Sequence, residues 1–308
     1  MSKRFFITTG NTKGVGLEIA LKAFLNSKHK DIKIIMCNEE ELRLHSKLYH
    51  YKLDDLNIIH DITAANKNGL YFYTKGNPFD WFVTSVDHSS NDPENSAVIT
   101  GPLSKDHFND KKINGHTSYL ENRFKQHDLF MTFLGSIYDC LLLTDHTPLL
   151  ELSEELISKR LEKALELINS LKDTLEWNKD IGVLGLNPHA GENGLIGSEE
   201  TRVHKVSIEN LDGVVGPLSG DGFFSSKDYE KYSLLVANYH DQGLIPFKLL
   251  HGFNGCQTTL GLPFVRTSVN HGTAEDLYLK NKADESSLLH AYQTANKLLR
   301  RGVNKNEF

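Results

Sequence analysis

The chain has 308 residues, 39% hydrophobic and 24% charged, with a formal charge of −6. That is an ordinary globular composition, long enough for one large domain or two of usual size. Mild acidity without a Lys/Arg stripe argues against nucleic acid as the main partner. The absence of any run near about 20 apolar residues argues against a membrane span.

Taken in chain order, short apolar runs recur: "RFFITT" from Arg4, "IKIIMC" from Ile32, "LYFYT" from Leu70, "AVIT" from Ala97, "FMTFLG" from Phe130 and "CLLLT" from Cys140. "IGVLGLN" from Ile181, "SLLVANY" from Ser233 and "VRTSV" from Val265 complete the series. Most are continuously apolar rather than alternating, which predicts strands covered on both faces. Between them lie helical stretches. The clearest is 153–176, where Ser153 caps, Glu154 and Glu155 suit the N-terminal dipole, and Ile157, Leu161, Ala164, Leu165, Ile168, Leu171 and Leu175 form one stripe. A second runs from Asp284 to Arg301, with Leu288, Leu289, Tyr292, Ala295 and Leu299 on one face. Strands alternating with helices predict an α/β fold with largely parallel sheets and helices on both faces. We read it as two intertwined lobes. Cys37, Cys140 and Cys256 are widely spaced and form no C-x-x-C pair. A reducing, cytoplasmic setting is the expectation, with no thiolate zinc site.

In an open parallel sheet, ligands gather beyond the carboxyl ends of the strands, so the residues just after each run matter most. "CLLLT" leads to Asp145-His146, "GVLGL" to Asn187-Pro188-His189 and "LLVANY" to His240-Asp241-Gln242-Gly243. "VRTSV" leads to Asn270-His271, and "AVIT" to Gly101–Lys105 and then to "GHTSYL" with His116. Five strand ends thus carry histidine or lysine beside glycine or proline. Three neutral imidazoles on separate strand ends can hold one divalent cation and leave positions open for substrate, with nearby carboxylates orienting the rings. Any single such histidine more often just hydrogen-bonds a loop; the set together favours a site. Lys248 and Arg266, in segments rich in glycine and apolar residues, suit an anionic substrate. "TTGNTKGVGLEIA" is neither a P-loop nor G-x-G-x-x-G, and reads as a tight strand-to-helix connection.

Together, "TGPLSK", "GHTSYL", "GLNPHAGENG", "YHDQG" and "GLPFVRTSVNHGTAEDL" resemble the 4-hydroxythreonine-4-phosphate dehydrogenase family of pyridoxal phosphate biosynthesis, in the family's order and from Thr9 to the C-terminal helix. The resemblance implies an isocitrate/isopropylmalate dehydrogenase-like fold and a homodimer with its active site at the subunit interface. N- and C-terminal segments would form the cofactor-side lobe, and a central segment, roughly 105–240, the dimerisation lobe. It assigns the metal to His146, His189 and His240, and the phosphorylated amino-acid substrate to His116, Thr117, Lys248, Gln257 and Arg266. The pocket aspartates become Asp221 and Asp241. "HGTAED" becomes a nicotinamide-dinucleotide loop with Gly272, Thr273, Ala274 and Asp276, the last favouring NAD over NADP at the ribose 2′-hydroxyl. Lys248, Asp241 and Asp221 all remain candidates for accepting the proton, and zinc, cobalt, magnesium, manganese and nickel for the cation. The chain departs from the family at Asn11 and Asn270, which usually are Asp, and at Gln257, which usually is Asn. A paralogue oxidising a four-carbon sugar-acid phosphate, or a non-redox phosphate acyltransferase-like protein, are the alternatives.

Overall fold

The computed structural model describes residues 2–108, 115–209 and 211–303, apart from the side chains of Lys105, Val206 and Phe253. The chain divides into two compact units: one runs to His127 and resumes at Leu262, and the other is Asp128–Gly261.

The first unit opens with β1 (Arg4–Thr8), β2 (Ile32–Met36), β3 (Asn57–Ile59), β4 (Gly69–Tyr73) and β5 (Ser96–Thr100). The second contributes β6 (Phe130–Leu134), β7 (Asp139–Leu142), β8 (Asp180–Leu184), β9 (Val214–Leu218), β10 (Tyr232–Ala237) and β11 (Cys256–Leu260). The chain then returns to the first unit with β12 (Val265–Ser268). In the first unit the strand order is β3-β4-β2-β1-β5-β12, every pair parallel. In the second it is β11-β6-β7-β10-β8-β9; β6 is antiparallel to both neighbours and the rest are parallel.

All five residues of β2 and of β5 are buried, as expected of strands covered on both faces. Three strands do not stand out in the sequence. β3 has only three residues, β11 reads "CQTTL" and β9 contains Pro217. That proline is tolerated because β9 lies at the edge of its order, where a missing N–H breaks no ladder. Helix Glu154–Leu175 forms as its sequence predicts: Ser153 Oγ accepts from Leu156 N at 3.1 Å, and Ile157, Leu161, Ala164, Leu165, Ile168, Leu171 and Leu175 are buried. In the last helix, Ser286–Arg301, Ala291 and Leu298 are buried with Leu288, Ala295 and Leu299. Leu289 and Tyr292, expected on that face, are only half-buried. Among the described residues, no helix is long and apolar enough to cross a membrane.

The glycines of the first loop are steric necessities. Gly10 has φ +71, and a Cβ there would lie 1.9 Å from Pro102 O; at Gly16 it would lie 1.7 Å from Thr9 O. Only glycine lets this backbone pass so close.

Candidate active site

Three adjacent parallel strands of the second unit, β7, β10 and β8, carry the histidines 146, 240 and 189 just beyond their carboxyl ends. Parallel register sets the ends of β7 and β10 side by side, and the His146 and His240 rings lie 5.6 Å apart, centroid to centroid, tilted by 33°. His240 opens the helix His240–His251. Its Nδ1 lies 2.7 Å from Asp241 Oδ1. A carboxylate accepts, so Nδ1 carries a proton, and in the neutral ring Nε2 then holds the lone pair that can face an electrophile. Asp145 stands in a similar relation to His146, Oδ2 to Nδ1 at 3.7 Å.

His189 is presented differently. His189, Ala190, Gly191, Glu192 and Asn193 all have φ between +43 and +72. Such a left-handed run costs non-glycine residues about 1–2 kcal/mol each, so something must hold it. Asn187 N donates to Glu200 Oε1 at 2.6 Å, and Asn187 Nδ2 donates to Glu199 Oε2 at 2.8 Å and to Glu200 Oε2 at 3.0 Å. Glu200 is buried, and a Cβ on Gly191 would lie 2.5 Å from its Oε2. His189 Nε2 reaches Asp221 Oδ2 at 3.9 Å. Ser219 Oγ donates to Asp221 Oδ1 at 2.6 Å; that bond, the Gly222 N–H and His189 together hold the Asp221 carboxyl below its usual range.

An open cleft of about 610 Å³ lies beside His189 and Asp221, lined also by Asn187, Asp241 and Gln242 and by the apolar Phe224, Ile245 and Leu249. Imidazoles backed by carboxylates, exposed at His146 and His189 and half-buried at His240, suit a divalent cation in kind. His146 and His240 form one pair and His189 with Asp221 another. Among the described residues, no three His, Cys, Asp or Glu side chains come close enough to hold an ion together. Lys248, on the same helix as His240, is exposed and does not line the cleft. Gln257 lies half-buried in β11.

The other residues singled out belong to the first unit. His116 and Thr117 start the helix His116–Arg123. The His116 ring packs on Phe82, centroids 4.4 Å apart. Enclosure of the ring and the nearby Arg266 guanidinium push its pKa down to about 3, so the imidazole is neutral at physiological pH. Arg266 is 2% exposed, and its Nη2 donates to Thr100 Oγ1 at 2.8 Å. A buried guanidinium beside a neutral imidazole suits a phosphate or carboxylate. Beyond β1, β5 and β12 three loops are stitched together. Val15 N donates to Thr273 O at 3.1 Å and Asn11 N to Pro102 O at 3.0 Å. The Asn11 amide donates to Ser104 Oγ and to Glu275 Oε1, both at 3.1 Å. Thr273 thus sits in the fold beside the first glycine loop; Ala274 has φ +45, and Gly272 and Asp276 are exposed.

Sequence reasoning placed Asn187 and Gln242 at strand ends without a role, and missed the supporting residues Glu200, His204 and Asn238. A polar Asn238 closing the apolar run "LLVANY" was the one available signal.

The mostly parallel sheets with their helices define an α/β fold of the isocitrate/isopropylmalate dehydrogenase-like type. Within that class, the chain belongs to the family described as pyridoxal phosphate biosynthetic protein PdxA, whose profile matches residues 20–295. It is 33% identical to the 4-hydroxythreonine-4-phosphate dehydrogenase of Sulfurimonas denitrificans, covering 96% of this chain and 98% of that one. It is 34% identical to the enzyme of the same name from Aquifex aeolicus, covering 97% and 99%. The crystal structure of the Klebsiella pneumoniae 4-hydroxythreonine-4-phosphate dehydrogenase is similar with TM-score 0.79 at 27% identity, covering 97% and 98%.

Proposed function

We propose that this chain is a metal-dependent 4-hydroxythreonine-4-phosphate dehydrogenase. It oxidises the 3-hydroxyl of 4-phosphooxy-L-threonine with NAD (or NADP), and the 3-keto acid decarboxylates to 3-amino-2-oxopropyl phosphate on the route to pyridoxine 5′-phosphate. Family membership and the names of relatives similar over nearly their whole length support the reaction. The single observation that carries the site is the placement of His146, His240 and His189 just beyond three adjacent parallel strands, with His189 lining a cleft that also holds Asp221 and Asp241.

In this reading His146, His189 and His240 would hold a divalent ion (zinc, cobalt, magnesium, manganese or nickel) once drawn together by it, and the ion would supply Lewis acidity at the substrate hydroxyl. Gly272, Thr273, Ala274 and Asp276 would hold the dinucleotide, which would supply the hydride acceptor. Asp241 orients His240 by accepting from its Nδ1. Asp221, kept ionised by its hydrogen bonds, stands with Asp241 and Lys248 as the groups able to take the hydroxyl proton. His116, Thr117, Lys248, Gln257 and Arg266 bind the phosphate and carboxylate and fix the carbinol C–H.

A second copy of the chain completes the site. Within ten residues of each histidine in the sequence stands an exposed leucine: Leu150 is 102% exposed, Leu195 83% and Leu249, which lines the cleft, 80%. Such side chains around a polar cleft mark a surface that a partner covers.

Steady-state kinetics test the proposal. NADH should accumulate with 4-phosphooxy-L-threonine, depend on an added divalent ion and disappear with a chelator. Full turnover in metal-free buffer, or preference for a four-carbon sugar-acid phosphate, overturns it.

A further inference from the structure

We propose that Asn238 is a positioning residue that sets the three histidine-bearing strand ends against one another, and that His204 holds its carboxamide in the orientation this requires. The proposal rests on reading His146, His189 and His240 as ligands of one cation. Asn238 is the first residue beyond β10, two before His240, and is 0% exposed. A buried carboxamide must find partners for its donors and acceptors; that of Asn238 reaches β8, Gln242 and His204, while its backbone carbonyl reaches the end of β7. Its backbone carbonyl accepts from Thr144 Oγ1 at 2.6 Å, two residues before His146. Its Nδ2 donates to the carbonyl of Leu184 at 2.8 Å, the last residue of β8, which leads to His189. Its backbone N–H donates to Gln242 Oε1 at 2.7 Å, and Gln242 Nε2 donates in turn to the carbonyl of Gly185 at 2.7 Å. Each loop that carries one of the histidines therefore starts from a hydrogen bond to Asn238 or to its relay Gln242.

The orientation of the amide is set by its neighbours. Nδ2 faces two oxygens, Leu184 O and Gln242 Oε1, the latter at 3.2 Å. Oδ1 therefore faces His204 Nε2, at 2.9 Å. An amide oxygen only accepts, so His204 carries its proton on Nε2. His204 is itself 0% exposed, and it ends the short helical turn Glu200–His204. That turn braces two histidine loops: Glu200 at its start holds Asn187, and His204 at its end holds Asn238.

The test uses the full-length protein, stripped with chelator and titrated with Co²⁺, reading affinity and the visible d–d spectrum. Asn238→Leu, close in size, should lose about 10–100-fold in Co²⁺ affinity and change the spectrum. His204→Leu should do the same, whereas His204→Gln, which can place a donor near the Nε2 position, should stay within about threefold of the parent. The histidine pair decides the matter should Asn238→Leu fail to fold. Unchanged affinity and spectrum in folded His204→Leu, or equal losses in His204→Leu and His204→Gln, overturn the proposal. Should the parent bind no Co²⁺, the ligand reading itself fails, and positioning is read from amide hydrogen exchange. His204→Leu is then expected to speed exchange in 143–147, 185–195 and 238–244 together. Acceleration confined to 238–244 overturns it.

Discussion

Asn11 and Glu275 form a matched pair. The resembled family usually has Asp at the first position, yet here the Asn11 amide donates to Glu275 Oε1 at 3.1 Å. An aspartate at 11 would set two carboxylates against each other on a largely buried residue. Asn11→Asp should therefore lower stability by about 1–3 kcal/mol, and Glu275→Gln should restore most of it, measured as a double-mutant cycle in urea. His116 sets a pH dependence. Its folded-state pKa, about 3, lies below the unfolded value of about 6.5, so the unfolded chain binds the extra proton. The contribution is whole above about pH 6.5 and is lost as pH falls towards 3. Urea midpoints between pH 7 and 5 should fall less steeply in His116→Gln than in the parent. At this scale the sequence was legible wherever a residue ends a strand. His240 and His146 come directly after apolar runs, and their pairing is a product of parallel register. The Asn187–Glu200 and Asn238–His204 bonds were not legible, because side-chain hydrogen bonds between loops distant in sequence leave no periodicity.

The left-handed stretch His189–Asn193 is an element of its own. Its φ values suit glycine, yet only Gly191 among the five is one. Ala190→Val adds a branched side chain to a backbone with φ +50, and should reduce stability by about 1–3 kcal/mol. Ala190→Gly should leave it unchanged or raise it, since the steric penalty of about 1–2 kcal/mol is removed while chain entropy offsets part. Chemical denaturation of both variants checks the contrast in sign. No motif announces this run; "NPHAGENG" reads simply as a loop rich in turn formers. The long helix Glu154–Leu175 was legible from cap to stripe, because one apolar period of 3.6 runs through it. β11 was hidden for the opposite reason. Its "CQTTL" buries two threonines, and composition alone does not distinguish it from a loop.

For the whole molecule, the reading as a dimer makes a direct demand on the exposed apolar residues. Leu249→Asp alters a side chain that is 80% exposed and lines the cleft, so as a monomer it should fold normally. It is expected to sediment as a smaller species than the parent and to lose at least about tenfold in turnover, which analytical ultracentrifugation and NADH assays read together. The sequence led to the expectation of a central segment at roughly 105–240; the compact units divide after His127 and after Gly261. Gly261 and Pro263 stand at the second division, but neither division lies in an extended Pro/Gly/Ser-rich stretch, which is why composition did not reveal a linker. The return of the chain to its first unit has a consequence for birth on the ribosome. β5, all of it buried, gains its outer neighbour only when β12 appears, roughly 165 residues later, on the order of ten to thirty seconds of translation. Through that interval a nascent chain carries an apolar, unpaired strand edge, the kind of surface that recruits chaperones or nucleates clumping.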